Sequence, residues 1–198
     1  MPNAFRALAA ALACIAATPA ASARTSGTVT YVVDPSHTYP SFEADHMGMS
    51  NWRGKFNKSS GTIAMDRAAG TGTVNIQVET GSVSFGYPQM DKVAKTKELF
   101  DTAKYPTASF KGTLEGFDKD GIPARAVGTL QLHGVKKPVT LEIRKFKCMP
   151  HPMFKRDWCG ADAVTTINRE EYGMDTGKAY GFDMNVELRI QVEAIAVE

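Results

Sequence analysis

Cys148 and Cys159 hold the most reactive pattern in this chain. They bracket Met149, His151 and Met153 in the stretch CMPHPMFKRDWC. Thiolate, thioether and imidazole together suit copper(I), but the spacing matches no zinc-site pattern. The two sulfurs can instead bond to each other. That bond would close a short loop and contribute about 2–3 kcal/mol by limiting the unfolded chain. An oxidising compartment favours the disulfide over the metal site.

Histidines are the next group with chemical potential. His37 and His46 bracket one short extended run, with Asp45 beside His46. Either ring suits contact with a ligand headgroup, and the pair with Asp45 is a weak metal set. Hydrogen bonding at a turn is the plainer role for both. His133 falls in the link HGVKKP, where a polar ring caps backbone groups. Lys136 and Lys137 suit a phosphate or simple solvation. Asp34, Ser36 and His37 are close in sequence, but a triad is defined by spatial geometry, and Asp-Pro-Ser-His reads as turn chemistry. There is no G-x-S-x-G elbow and no paired-carboxylate pattern, so catalysis is not expected.

These residues must be positioned by strands. Residues 1–23 read as a cleavable signal peptide. Arg6 is followed by an apolar run from Ala7 to Ala17, and Ala21-Ser22-Ala23 offers a cleavage site. A lipoprotein reading through Cys14 is weaker. Cleavage near Ala23 predicts a periplasmic or secreted domain over 24–198. It removes one Arg from a formal net charge of +2. A near-neutral chain carries no electrostatic footprint for nucleic acid.

The remaining chain alternates with period two. Val29, Tyr31 and Val33 share one parity. Phe42, Ala44 and His46 follow, then Trp52, Gly54 and Phe56. Further runs cover Thr62 to Met65, Val74 to Val78, and Ala108 with Phe110. In the stretch 128–141, Leu130 and Leu132 answer Val139 and Leu141 across a tight link, as in a hairpin. From Tyr180 to Val192 seven apolar residues share one parity, which a helix of period 3.6 cannot arrange. Between Pro88 and Pro106 the spacing of Met90, Val93, Ala94 and Phe100 predicts one amphipathic helix, or a helix with an irregular end. About eight antiparallel strands and one helix predict a sandwich or a closed barrel. An eight-stranded barrel is filled by side chains or holds one small ligand.

Four segments carry a resemblance. They are YVVDPSHTYPSFEADHMGMSNWRGKFN from Tyr31, LFDTAKYPTASFKGT from Leu99, VGTLQLHGVKKPVTL from Val127, and INREEYGMDTGKAYGFDMNVELRIQVEA from Ile167. In this order and spacing the chain resembles the YceI-like family of polyisoprenoid-binding, lipocalin-like exported proteins. Two departures stand out. MDKVAKTKELF lacks the His and Arg usual in that part of the family, and the CMPHPMFKRDWCG loop occurs in only some members. The resemblance implies an all-β protein with one helix, an antiparallel eight-stranded lipocalin-like barrel. It also implies an apolar tunnel for an isoprenoid or fatty-acyl chain, with no other cofactor.

The candidate ligand-binding residues are Phe42, His46, Trp52, Phe56, Phe110, Leu130, Leu132, Phe182, Met184 and Val186. Their alternation alone fits a solid core equally well. The resemblance adds a polyprenyl phosphate or isoprenoid quinone as ligand. Alternatives are a quinone-linked partner of a membrane cytochrome and a metal- or haem-handling protein. No residue pattern decides for or against a homodimer.

Overall fold

The computed structural model describes residues 27–197. The expected signal peptide, its cleavage after Ala23, and Cys14 lie outside the described residues. Strands run in chain order as β1 (Val29–Val33), β2 (Ser41–His46), β3 (Ser50–Phe56), β4 (Ser59–Asp66) and β5 (Thr71–Glu79). After them come β6 (Val83–Ser84), the helix α1 (Pro88–Ala94), β7 (Thr107–Glu115) and β8 (Arg125–Leu132). Then follow β9 (Val135–Pro150), β10 (Asp157–Asn168) and β11 (Asn185–Ala196).

Eight of these strands close a ring in the order β1-β4-β5-β7-β8-β9-β10-β11, with β11 returning to β1. All pairings are antiparallel, so the expected eight-stranded barrel with one helix is present. Closure removes the exposed sheet edge of this ring. The far side of β11 is shared. Ala194 and Ala196 face β1, while Val186 to Arg189 face β2. β2, β3 and β6 therefore prolong the wall at one end of the barrel.

The period-two runs sit where the alternation places them. Tyr31 and Val33 of β1 are buried while Val32 between them is 46% exposed. The β8–β9 hairpin closes through His133 and Gly134, both left-handed, at φ 50° and 80°. Such a pair of turn residues matches the right-handed twist of the flanking strands. The link is thus two residues long, and Lys136, Lys137 and Pro138 belong to β9 rather than to the tip.

Two expectations are corrected. β10 and the short β6 are additional strands. The run from Tyr180 is not all strand, because β11 starts at Asn185. Gly177 and Gly181 adopt φ 90° and 84°, and Tyr180 between them lies in a short 3-10 turn with 76% of its surface exposed. Parity cannot register such backbone turns. The helix is the shorter of the two forms anticipated. Pro88 starts it, where its missing N–H is harmless. It ends at Ala94, and Asp101 (φ 43°) and Phe100 N–H to Ala94 carbonyl (3.0 Å) organise the irregular continuation.

Candidate functional site

Inside the barrel is one long cavity of about 450 Å³, lined almost wholly by apolar side chains. Its wall explains the alternation. β2 and β3 send in Phe42, His46, Trp52 and Phe56. β7 and β8 add Phe110, Leu130 and Leu132, and β11 and the turn before it add Val186 and Phe182. Met184 does not border the cavity. It is buried, and its carbonyl accepts the Arg169 N–H at 2.8 Å.

Sequence reasoning missed other wall residues. Phe85, Leu99 and Phe100 border the cavity from the segments around α1. For Leu99 and Phe100 the signal was the apolar face between Pro88 and Pro106, whereas Phe85 lies before Pro88 and carried none. Phe42 packs on Phe56, Phe85 and Phe100 at centroid distances of 5.7, 5.5 and 5.9 Å. Cys159, Ala161 and Ala163 of β10 also face the cavity. Their small side chains leave the open space.

The two ends differ. At the β1 end the lining residues Tyr31 and Met65 are each 2% exposed, and Cys159 is 8% exposed. The Tyr31 hydroxyl donates to Asp157 at 2.8 Å, and burial, aided by this carboxylate, pushes the phenol pKa up. Cys148 and Cys159 are cross-strand partners of the β9–β10 hairpin and form a disulfide. Together these groups close this end.

At the α1 end the lining includes solvent-exposed Val93 and Thr176, so the cavity opens there. His46 stacks on Trp52 at 4.9 Å and meets the edge of Phe182 at 5.1 Å. Both Asp45 oxygens accept the Gly48 N–H at 2.9 Å, which shapes the β2–β3 turn. Arg169 borders the cavity and donates to the carbonyls of Met174 and Thr176 at 2.9 and 2.6 Å. Burial lowers its pKa. The Thr176 hydroxyl in turn donates to the Glu98 carbonyl. This chain of bonds ties the loop after β10 to the segment after α1. Among the described residues, the polar side chains that line the interior are those of Asp45, His46, Arg169 and a few hydroxyl-bearing residues, beside the indole of Trp52.

The reactive clusters of the sequence have other duties. His46 is the last residue of β2 and His37 lies before its first, so the strand holds them too far apart to share an ion. Among the described residues the one grouping with metal-ligand geometry is Cys148, Asp157 and Cys159, whose sulfurs are bonded to each other. His151 Nδ1 accepts the N–H groups of Met153 and Phe154, both at 3.2 Å, so the ring organises the hairpin tip. His37 Nδ1 meets both Asp34 (2.7 Å) and Ser36 (3.1 Å). A catalytic relay uses the two different ring nitrogens, so this cluster is a turn. His133 Nδ1 donates to the Tyr172 carbonyl at 2.9 Å, and Lys137 pairs with Glu171 at 3.3 Å.

Residues 31–194 match the YceI-like domain. Protein YceI of Escherichia coli O157:H7 is 32% identical over 162 residues, covering 80% of this chain and 82% of the relative. Burkholderia cenocepacia BcnA shares the fold at TM-score 0.66 and 19% identity, over 81% of this chain and 98% of that one. A polyisoprenoid binding domain from Saccharophagus degradans does so at TM-score 0.61 and 17% identity, over 85% and 99%. The family match extends through nearly the whole barrel, and the chain belongs to the YceI-like family.

Proposed function

We propose that this protein is a binding protein for a long-chain isoprenoid lipid, exported to the periplasm and without catalytic activity of its own. The apolar cavity, closed at one end and open at the other, is the observation that carries this reading. The membership of the chain in the YceI-like family supports it, as does a structural neighbour described as polyisoprenoid-binding.

An apolar chain enters between His46, Trp52 and Phe182 and lies along the barrel toward Cys159. Affinity comes from apolar area removed from water, about 25 cal/mol per Å² before association costs. The polar headgroup, a phosphate or a quinone ring, stays at the open end beside Asp45, His46 and Thr176. Candidate contacts for the chain are Phe42, Phe56, Phe110, Leu130, Leu132 and Val186. Native mass spectrometry of gently purified protein tests this. A co-purifying isoprenoid at one per protein is the expected result. Protein that is consistently empty, and that takes up no isoprenoid after delipidation, would overturn it.

A further inference from the structure

The open end carries an exposed apolar rim that the cavity itself does not use. Met47 and Met49 in the β2–β3 turn are 51% and 82% exposed. Tyr87 is 58% exposed just before α1, and Tyr180 is 76% exposed just before Phe182. Three ring contacts draw these segments together around the mouth. His46 touches Trp52 and Phe182 at 4.9 and 5.1 Å, and Trp52 touches Phe85 at 6.2 Å. Flexible thioethers and tyrosines suit the headgroup zone of a bilayer, where one end of a ring is wet and the other apolar.

Charge points the same way. Lys92, Lys95 and Lys97 are exposed on and just after α1, beside the lining residue Val93. None of the three makes an ion pair among the described residues. Two acids, Glu98 and Asp101, follow them. The carboxylates of Asp45 and Asp91 are engaged by the N–H groups of Gly48 and Phe85. These hydrogen bonds leave both carboxylates charged, so with Lys104 the run 88–104 carries four lysines against the three acids Asp91, Glu98 and Asp101, a net charge of +1.

We propose that this rim docks on the headgroup region of a bilayer containing anionic lipid, and that the docked mouth exchanges its lipid directly with the membrane. The inference rests on the lipid-binding reading of the cavity. A long isoprenoid is nearly insoluble in water, so an opening that touches the bilayer spares the chain an aqueous passage. Each lysine near an anionic surface is worth roughly fivefold in affinity.

Vesicle sedimentation tests the docking. Vesicles of phosphatidylcholine alone and with one part in three of phosphatidylglycerol are the probes, at low salt. The unsubstituted protein should sediment with the anionic vesicles and much less with the neutral ones. The variant K92Q/K95Q/K97Q should lose about 100-fold in affinity. The variant M47S/M49S/Y180S should also lose binding. The variant M153S/F154S, at the opposite end of the barrel, should keep it.

Uptake of an isoprenoid quinone delivered from detergent is measured in parallel. The rim and lysine variants should take it up as the unsubstituted protein does. Uptake without vesicle binding overturns the docking alone. Absence of uptake overturns the cavity reading beneath it. Loss of vesicle binding in M153S/F154S, with retention in the rim variant, would also overturn the docking.

Discussion

The barrel ends in two ways, and each end uses chemistry suited to it. At the β1 end the wall is held by a disulfide between β9 and β10 and by a half-buried Tyr31–Asp157 hydrogen bond. At the α1 end it finishes in aromatic rings, short turns and a bond network running from Arg169 through Thr176 to the Glu98 carbonyl. Covalent and half-buried polar links make one end resistant to opening. Ring contacts of 4.9–6.2 Å leave the other able to adjust around a chain. The difference teaches that a barrel with an internal cavity needs only one adaptable end, and that stability can be concentrated at the other.

Blocking the space between the ends should have the largest effect on binding. Ala163 is buried and faces the cavity. In Ala163→Trp the indole should displace roughly 100–200 Å² of ligand contact, about 2.5–5 kcal/mol or ~100-fold or more in affinity. Ligand titration beside a thermal melt checks it. The melt should change little, because the ring fills existing space.

Next come changes that separate the ends. Replacing both cysteines (Cys148→Ala with Cys159→Ala) should lower stability by about 2–3 kcal/mol. Lipid affinity should stay within about threefold, because the opening is at the other end. Denaturant unfolding and ligand titration read the two quantities. A large loss of affinity would mean that the closed end also shapes the ligand's path.

Gly54→Val acts at the open end. A side-chain carbon at Gly54 would lie 2.4 Å from the tip of the Phe42 ring. Phe42 is wedged against three other rings and cannot swing aside at no cost. Overpacking of this kind costs about 1–3 kcal/mol. Here affinity should fall together with stability, unlike in the cysteine variant.

The smallest effect concerns the turn between β1 and β2. The hydrogen bond to Asp34 raises the pKa of His37. Its contribution to stability is therefore present below the ordinary histidine pKa and fades as pH rises through the raised one. The ring is 57% exposed, so solvent screening keeps the contribution small. An NMR titration should find His37 above its ordinary range, and Asp34→Asn should return it there. Lipid binding should not follow this titration, because His37 is outside the cavity wall.

Much of the barrel was legible from side-chain parity. Val74, Ile76 and Val78, Phe110, and Leu130 with Leu132 all face inward as their spacing requires. β10 was not legible, for a reason tied to the proposed function. Its inward residues include Cys159, Ala161 and Ala163, too small to mark an apolar face. The feature that makes room for a ligand also hides the strand. Nor can periodicity separate a lined cavity from a filled core, since Met184 is apolar, buried and in register yet does not touch the open space. The turn at Gly177 and Gly181 depends on left-handed backbone, which parity does not encode.

The chain has two tryptophans, and they report on different ends. Trp52 lines the cavity mouth, whereas Trp158 packs on His151 at 5.1 Å in the disulfide hairpin. Titrating a long-chain isoprenoid quinone into Trp158→Phe and Trp52→Phe variants compares them directly, because a quinone ring quenches indole emission on contact. The expected result is saturable quenching of Trp52 at one ligand per protein, with little change at Trp158. No saturable quenching, or stronger quenching of Trp158, would contradict a lipid held in the barrel with its headgroup at the open end.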